Sequence, residues 1–156
     1  MSVQPEPNYS LALEEARRGF DELNAEVSVI RDRCVSILGM GGLAASFLGG
    51  LAIRDGADVS RWTWLAVIAF VALAGLCTFV LWPRRIYLTM HPGELVAWAE
   101  EDHASTSTMQ RDLALWLGKA YDDNRPTVDR LSRLYTLAAM AFLVEIAALI
   151  YDLMSR

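Results

Sequence analysis

Three stretches of this chain are almost free of charge, and that pattern limits the fold more than any other feature. They are residues 35–53, 62–82 and 134–153. The first two hold no charged residue, and the third holds only Glu145 and, at its end, Asp152. Each is close to the ~20 residues needed to cross a hydrocarbon core of roughly 30 Å. Charged residues make up 21 % of the chain, so their absence from these windows is segregation, not scarcity. Helices buried in a small soluble bundle would each keep a polar stripe toward water. The expected fold is all-α: an integral membrane protein with three transmembrane helices and a cytoplasmic helical, coiled-coil-like domain.

Basic residues near membrane ends favour the cytoplasm. Arg31 and Arg33 precede the first window, Arg84 and Arg85 follow the second, and Arg130 and Arg133 precede the third. In the loop 54–61, Arg54 and Arg61 are offset by Asp55 and Asp58. This bias puts the N-terminus and residues 83–133 inside and the loop 54–61 outside. The C-terminus then lies outside, with Arg156 the one basic residue against that sense. Trp62, Trp64 and Tyr151 suit the outer interface, and Trp82 and Tyr135 the inner one. The first apolar run follows a charge-rich stretch, so no secretory signal is expected. The net charge of −5 gives no basic footprint for nucleic acid. Cys34 and Cys77 lie at or inside apolar segments and read as small buried hydrophobes.

Residues 1–8 hold two prolines and are expected to be disordered. From residue 9 the pattern is helical. Leu13, Ala16, Phe20, Leu23, Val27, Ile30 and Cys34 recur at alternating steps of three and four, with charged residues between them. Such a seam is that of a coiled coil, and it pairs either within one chain or between chains. No proline interrupts the run into the first window, so residues 9–53 read as one helix, with 9–34 in water. After Trp82-Pro83, residues 86–90 are short enough to be extended, and His91-Pro92-Gly93-Glu94 reads as a helix start. Residues 104–108 are a linker or the cap of the next helix, over 109–133, where Pro126 is expected to kink or break the run. Helices 9–34 and 109–134 both head toward the membrane and can pair in parallel over roughly 38 Å at 1.5 Å per residue.

Glu145 is the sharpest single feature. It lies about 16 Å from the inner edge of the third window at 1.5 Å per residue, near the bilayer midplane. A central charge there costs about 2.5–3.5 kcal/mol on insertion scales, and such residues face a bundle interior or a water-filled path. Ala138, Ala141, Glu145, Ala148 and Asp152 share one face, which is expected to meet other helices. Ser46 lies at nearly the same depth, so a Ser46–Glu145 hydrogen bond is expected within or between subunits. Glu145 either glues helices together or serves a proton or ion pathway. In the first window Gly42, Ser46 and Gly50 are spaced by four, as are Gly41, Ala45 and Gly49. Small residues at that spacing let helix backbones approach closely, within one chain or between copies. His91 and His103 lack metal-ligand spacing, the acidic run 100–102 reads as a solvated helix end, and no catalytic constellation stands out. Neither a cofactor nor an enzymatic activity is expected.

Two stretches, residues 44–52 (Ala-Ala-Ser-Phe-Leu-Gly-Gly-Leu-Ala) and 81–85 (Leu-Trp-Pro-Arg-Arg), resemble those of small bacterial integral membrane proteins. The layout of leading helix, paired spans and cytoplasmic helices also resembles the SLATT and Pycsar-type membrane effectors of bacterial anti-phage systems, although a third span departs from their two-span pattern. That resemblance implies a protein of the bacterial inner membrane that oligomerises on a cyclic-nucleotide or enzyme-linked signal, with a soluble signalling partner, and breaches the bilayer. Gly42, Ser46, Gly50 and Glu145 would form helix contacts or line a pore, and the seam at Leu13, Phe20, Leu23, Val27 and Ile30 would couple the cytoplasmic domain to the spans. The alternative is a non-catalytic scaffold or regulator that recruits a partner through its cytoplasmic helices.

Overall fold

The computed structural model of the chain describes residues 9–54, 60–83, 93, 96, 97, 100 and 105–155, with the backbone alone at 47–49 and 51–54. Residues 1–8, most of the loop 54–61 and most of 84–104, including both histidines and the acidic pair Glu101 and Asp102, lie outside the described residues. Three long helices are described: α1, Tyr9–Arg54; α2, Arg61–Leu81; and α3, Thr106–Ser155. Gly93, Val96, Ala97 and Glu100 are helical as well. No strand occurs among the described residues, so the fold is all-helical there.

The helix ends follow from local chemistry. Ser60 caps α2, its hydroxyl accepting from the Trp62 amide at 3.1 Å. At the other end the Trp82 amide donates to the Thr78 carbonyl at 2.9 Å. Pro83 then forces Trp82 out of the helical region, and its ψ of 128° ends α2. Ser105 caps α3, accepting from the Thr108 amide at 3.3 Å and sharing hydroxyl bonds of 2.9 Å with Ser107 and Thr108. Ser105 is therefore the cap and Thr106, Ser107 and Thr108 open the helix, while Ala104 lies outside the described residues.

The expected break at Pro126 does not occur. The helix α3 runs through it. A proline removes one ladder bond, here the one to the Asp122 carbonyl. Asp122 and Pro126 are both exposed, so water can satisfy that carbonyl. Two residues earlier the Asn124 side-chain amide donates to the Ala120 carbonyl at 2.8 Å, adding a side-chain bond beside the gap.

The chain divides into two compact units. The first comprises Met1–Glu26 and Arg84–Val128. Its core joins Leu13 and Phe20 of α1 to Leu117 of α3, with Ala16, Leu113, Trp116 and Ala120 packed around them. Gly19 lies beside the Tyr121 ring, and Glu26 accepts from Arg125 at 3.3 Å. Contacts climb both helices together, so the two segments are parallel. The seam of α1 is thus covered here by the chain's own α3, and Leu23 is buried with it.

The second unit comprises Val27–Pro83 and Asp129–Arg156. Here α2 is antiparallel to α1: Cys34 is level with Cys77, Gly41 with Leu73, and Ala44 with Ala66. The seam residues Val27 and Ile30 are buried in this unit. Its interior holds Ala66, Ala69, Ala138 and Ala148 beside larger apolar side chains such as Ile37, Leu73, Val80 and Leu131, while Trp64, Ile68, Val71, Leu137, Leu143 and Ile150 face outward and are exposed. A soluble domain keeps most of its large apolar groups inside, whereas here many of them lie on the outer surface as well. Both α2 and α3 are long and apolar enough to cross a membrane, and only 28 % of the most apolar window of each is buried. At 1.5 Å per residue the 21 residues of α2 rise about 32 Å, close to the thickness of a bilayer core. For the first expected span, several side chains lie outside the described ones.

Candidate functional site

Glu145 sits at the centre of the second unit with no solvent exposure. Its position follows from helical spacing. Ala138, Glu145, Ala148 and Asp152 recur at steps of three, four and seven on α3, and all four are buried. The small alanines let α1 and α2 approach, and the longer Glu145 side chain fills the space between them.

The facing residue on α1 is Gly41. A Cβ built there would lie 2.8 Å from Leu73 Cδ2, 3.0 Å from Glu145 Oε2 and 3.6 Å from Phe142 Cδ2. Any side chain would compete with Leu73 and with the carboxyl for the same volume. Glycine is therefore favoured at this position by space, without any special backbone conformation. The other side chains at this contact, Leu73 and Phe142, are apolar, and neither Oε1 nor Oε2 has a hydrogen-bond partner among the described residues. Burying a polar group without a partner costs roughly 1–3 kcal/mol by protein mutational data, and an unpaired charge costs far more.

The expected Ser46–Glu145 bond is not made within the chain. Ser46 is exposed, and its hydroxyl donates to the Gly42 carbonyl at 2.7 Å. The reason is azimuth. Ser46 is five residues from Gly41, about 140° around a helix of 3.6 residues per turn, so equal depth does not mean the same face. The two small-residue stripes separate accordingly. Gly41 is buried and Ala45 half-buried, whereas Ser46 and Gly50 are exposed. Open space lies beside Gly42 and Gly50. Gly42, Ser46 and Gly50 thus form a face of α1 distinct from the one that meets Glu145.

Toward one end of this unit the Trp62 and Tyr151 rings touch, with centroids 4.3 Å apart at 48°. Toward the other end Cys34 and Cys77 are free thiols, fully buried and facing each other. Their meeting could not be read from the sequence, because it depends on the register between α1 and α2. Thr63 and Asp152 add polar groups near the Trp62–Tyr151 end.

In the first unit, a shallow groove of about 260 Å³ is lined by Glu15, Ala16, Gly19, Gly118, Tyr121 and Asp122. No cluster of three or more His, Cys, Asp or Glu suited to a metal occurs among the described residues. No protein-family model, curated protein or solved structure matches this chain.

Proposed function

We propose that the chain is an integral membrane protein that crosses a bacterial inner membrane three times, self-associates, and acts by perturbing that membrane as an effector of the defence type. The observation that carries this reading is the outer surface of the second unit, where large apolar side chains are exposed on all its helices. Val35, Met40 and Leu43 extend that apolar surface onto α1. In water such a surface would drive aggregation, whereas in lipid it is the solvated face. In this reading the spans are 35–53, 62–82 and 134–153, and the basic residues flanking them favour the N-terminus and residues 83–133 in the cytoplasm and the C-terminus outside.

Self-association is supported by the open face at Gly42, Ser46 and Gly50, where a second backbone can approach α1 closely. Membrane perturbation is supported by the carboxyl of Glu145 within the bundle, the kind of residue that marks a polar path. The scaffold reading has its own support in the groove of the first unit, which offers Glu15, Asp122 and the Tyr121 ring to a soluble partner.

Membrane potential separates the two readings. It is measured in cells expressing the wild type or Glu145→Ala at equal, verified membrane levels. An effector depolarises cells as the wild type and less so as the variant. A scaffold leaves the potential intact in both and co-purifies with its partner.

A further inference from the structure

The second unit contains a carboxyl group that its packing leaves chemically incomplete. Glu145 is fully buried, and both of its oxygens lack a hydrogen-bond partner among the described residues. Gly41 of α1 faces the carboxyl, and Leu73 of α2 and Phe142 of α3 meet the same point on Gly41. None carries a charge or a donor. The titratable side chains nearest along the described interior are Cys34 on α1, Cys77 on α2, and Asp152 on α3. Asp152 is seven residues from Glu145, about 10 Å at 1.5 Å per residue. No described cation faces the carboxyl, and the absence of neighbouring oxygen ligands does not suit a metal ion, which takes several. The one ligand that this surrounding accommodates is a proton.

We propose that Glu145 is a proton-binding site at the core of the bundle, and that the three helices close around it only when it is the uncharged acid. This rests on the membrane-embedded reading above and adds a ligand to it. The chemistry is a reversible dissociation: the carboxyl gives its proton to water, forming a carboxylate and hydronium. The carboxylate then needs hydration or a counter-charge, and its apolar surroundings offer neither. Losing the proton therefore favours arrangements in which α1, α2 and α3 part and water reaches the group. The closed bundle holds one more proton than the opened one, so rising pH favours opening and falling pH favours closure. Gly41 is part of the device, because its missing side chain creates the space that the acid occupies.

The test uses the full chain reconstituted in phosphatidylcholine vesicles and floated on a density gradient. Infrared spectra are taken of the wild type, Glu145→Gln and Asp152→Asn at neutral pH. The expected result is a carbonyl stretch of an undissociated carboxylic acid in the wild type. It should vanish in Glu145→Gln, persist in Asp152→Asn, and decline as pH is raised. A hydrophobic carbodiimide gives an independent readout. An undissociated carboxyl adds across its N=C=N group, passing its proton to nitrogen, and the adduct rearranges to a stable acylurea. An acylurea mapped to Glu145 by mass spectrometry supports the site. The infrared band without an adduct also supports it, because the acid is then present but shielded. Wild-type spectra without a band sensitive to Glu145→Gln overturn the proposal, whatever other carboxyls the reagent labels. Protein that fails to float overturns the membrane reading instead, so the two failures are distinct.

Discussion

Replacing Gly41 with alanine places a methyl group where Leu73 and Glu145 already meet α1. The new carbon would lie 2.8 Å from Leu73 Cδ2 and 3.0 Å from Glu145 Oε2. Both neighbours are side-chain ends that can rotate, but both side chains are fully buried, so their movement displaces others. Overpacking of a filled core costs about 1–3 kcal/mol. Alanine returns about 0.5–1 kcal/mol of helix stability relative to glycine. The expected net effect is a loss of about 1 kcal/mol, a factor of about 5 in the folded-to-unfolded ratio. Gly42 is the internal control, because nothing lies within 4 Å of a Cβ built there. At dilutions where the protein is monomeric, Gly42→Ala should show the helix gain alone, so the two neighbouring substitutions should differ by roughly 2 kcal/mol. Unfolding by sodium dodecyl sulfate in mixed micelles, followed by helicity, measures both. Combining Gly41→Ala with Leu73→Ala removes the closest clash, and the pair should be less destabilised than the sum by about 0.5–3 kcal/mol. Equal stability of Gly41→Ala and Gly42→Ala, with strict additivity in the double variant, would refute the packing described around Glu145.

Truncating Phe20 to alanine should cost about 3–5 kcal/mol and Leu13 about 2–5 kcal/mol, because both are buried against Leu117 in the first unit; thermal unfolding of the full chain in detergent checks this. Pro126→Ala restores a backbone donor within α3 and should stabilise that helix by up to about 3 kcal/mol, read as slower amide exchange around residues 120–128. Trp62→Leu keeps most of the apolar area but removes the ring contact with Tyr151, and should lower stability by about 0.5–1.5 kcal/mol by the same micelle titration. Glu26→Gln breaks an ion pair with Arg125 whose side chains are 42 % and 45 % exposed, and should change stability by less than about 1 kcal/mol, with the difference shrinking in high salt.

Much of the helical layout was legible because hydrophobic periodicity is a local property. The steps of seven and three along Leu13, Phe20 and Leu23 mark a face that is buried, and Ala138, Glu145, Ala148 and Asp152 mark another. The site was legible only in part. Counting residues from the edge of an apolar window gives depth, which brought Ser46 and Glu145 to one level. Which of two stripes on α1 faces α3 depends on the rotation of α1 about its axis. Gly41 and Gly42 are adjacent in sequence yet play different parts, one filling a tight contact and the other facing open space. The meeting of Cys34 with Cys77 is hidden for a similar reason, since it depends on how α2 slides along α1. Pro126 misleads locally because a proline penalty of about 3 kcal/mol is small against the packing of a long helix whose freed carbonyl reaches water.

The central claim is that α1, α2 and α3 each cross the bilayer, and the position of Ser10 tests it most directly. Cysteine is introduced at Ser10, Arg61, Ser105 or Ser155, one at a time, in a chain with Cys34 and Cys77 replaced by alanine. Intact cells are treated with a membrane-impermeant maleimide before and after permeabilisation. Three crossings predict that Arg61→Cys and Ser155→Cys react in intact cells, while Ser10→Cys and Ser105→Cys react only after permeabilisation. If Ser10→Cys reacts together with Arg61→Cys while Ser105→Cys stays protected, α1 does not cross the membrane and the three-span account is wrong.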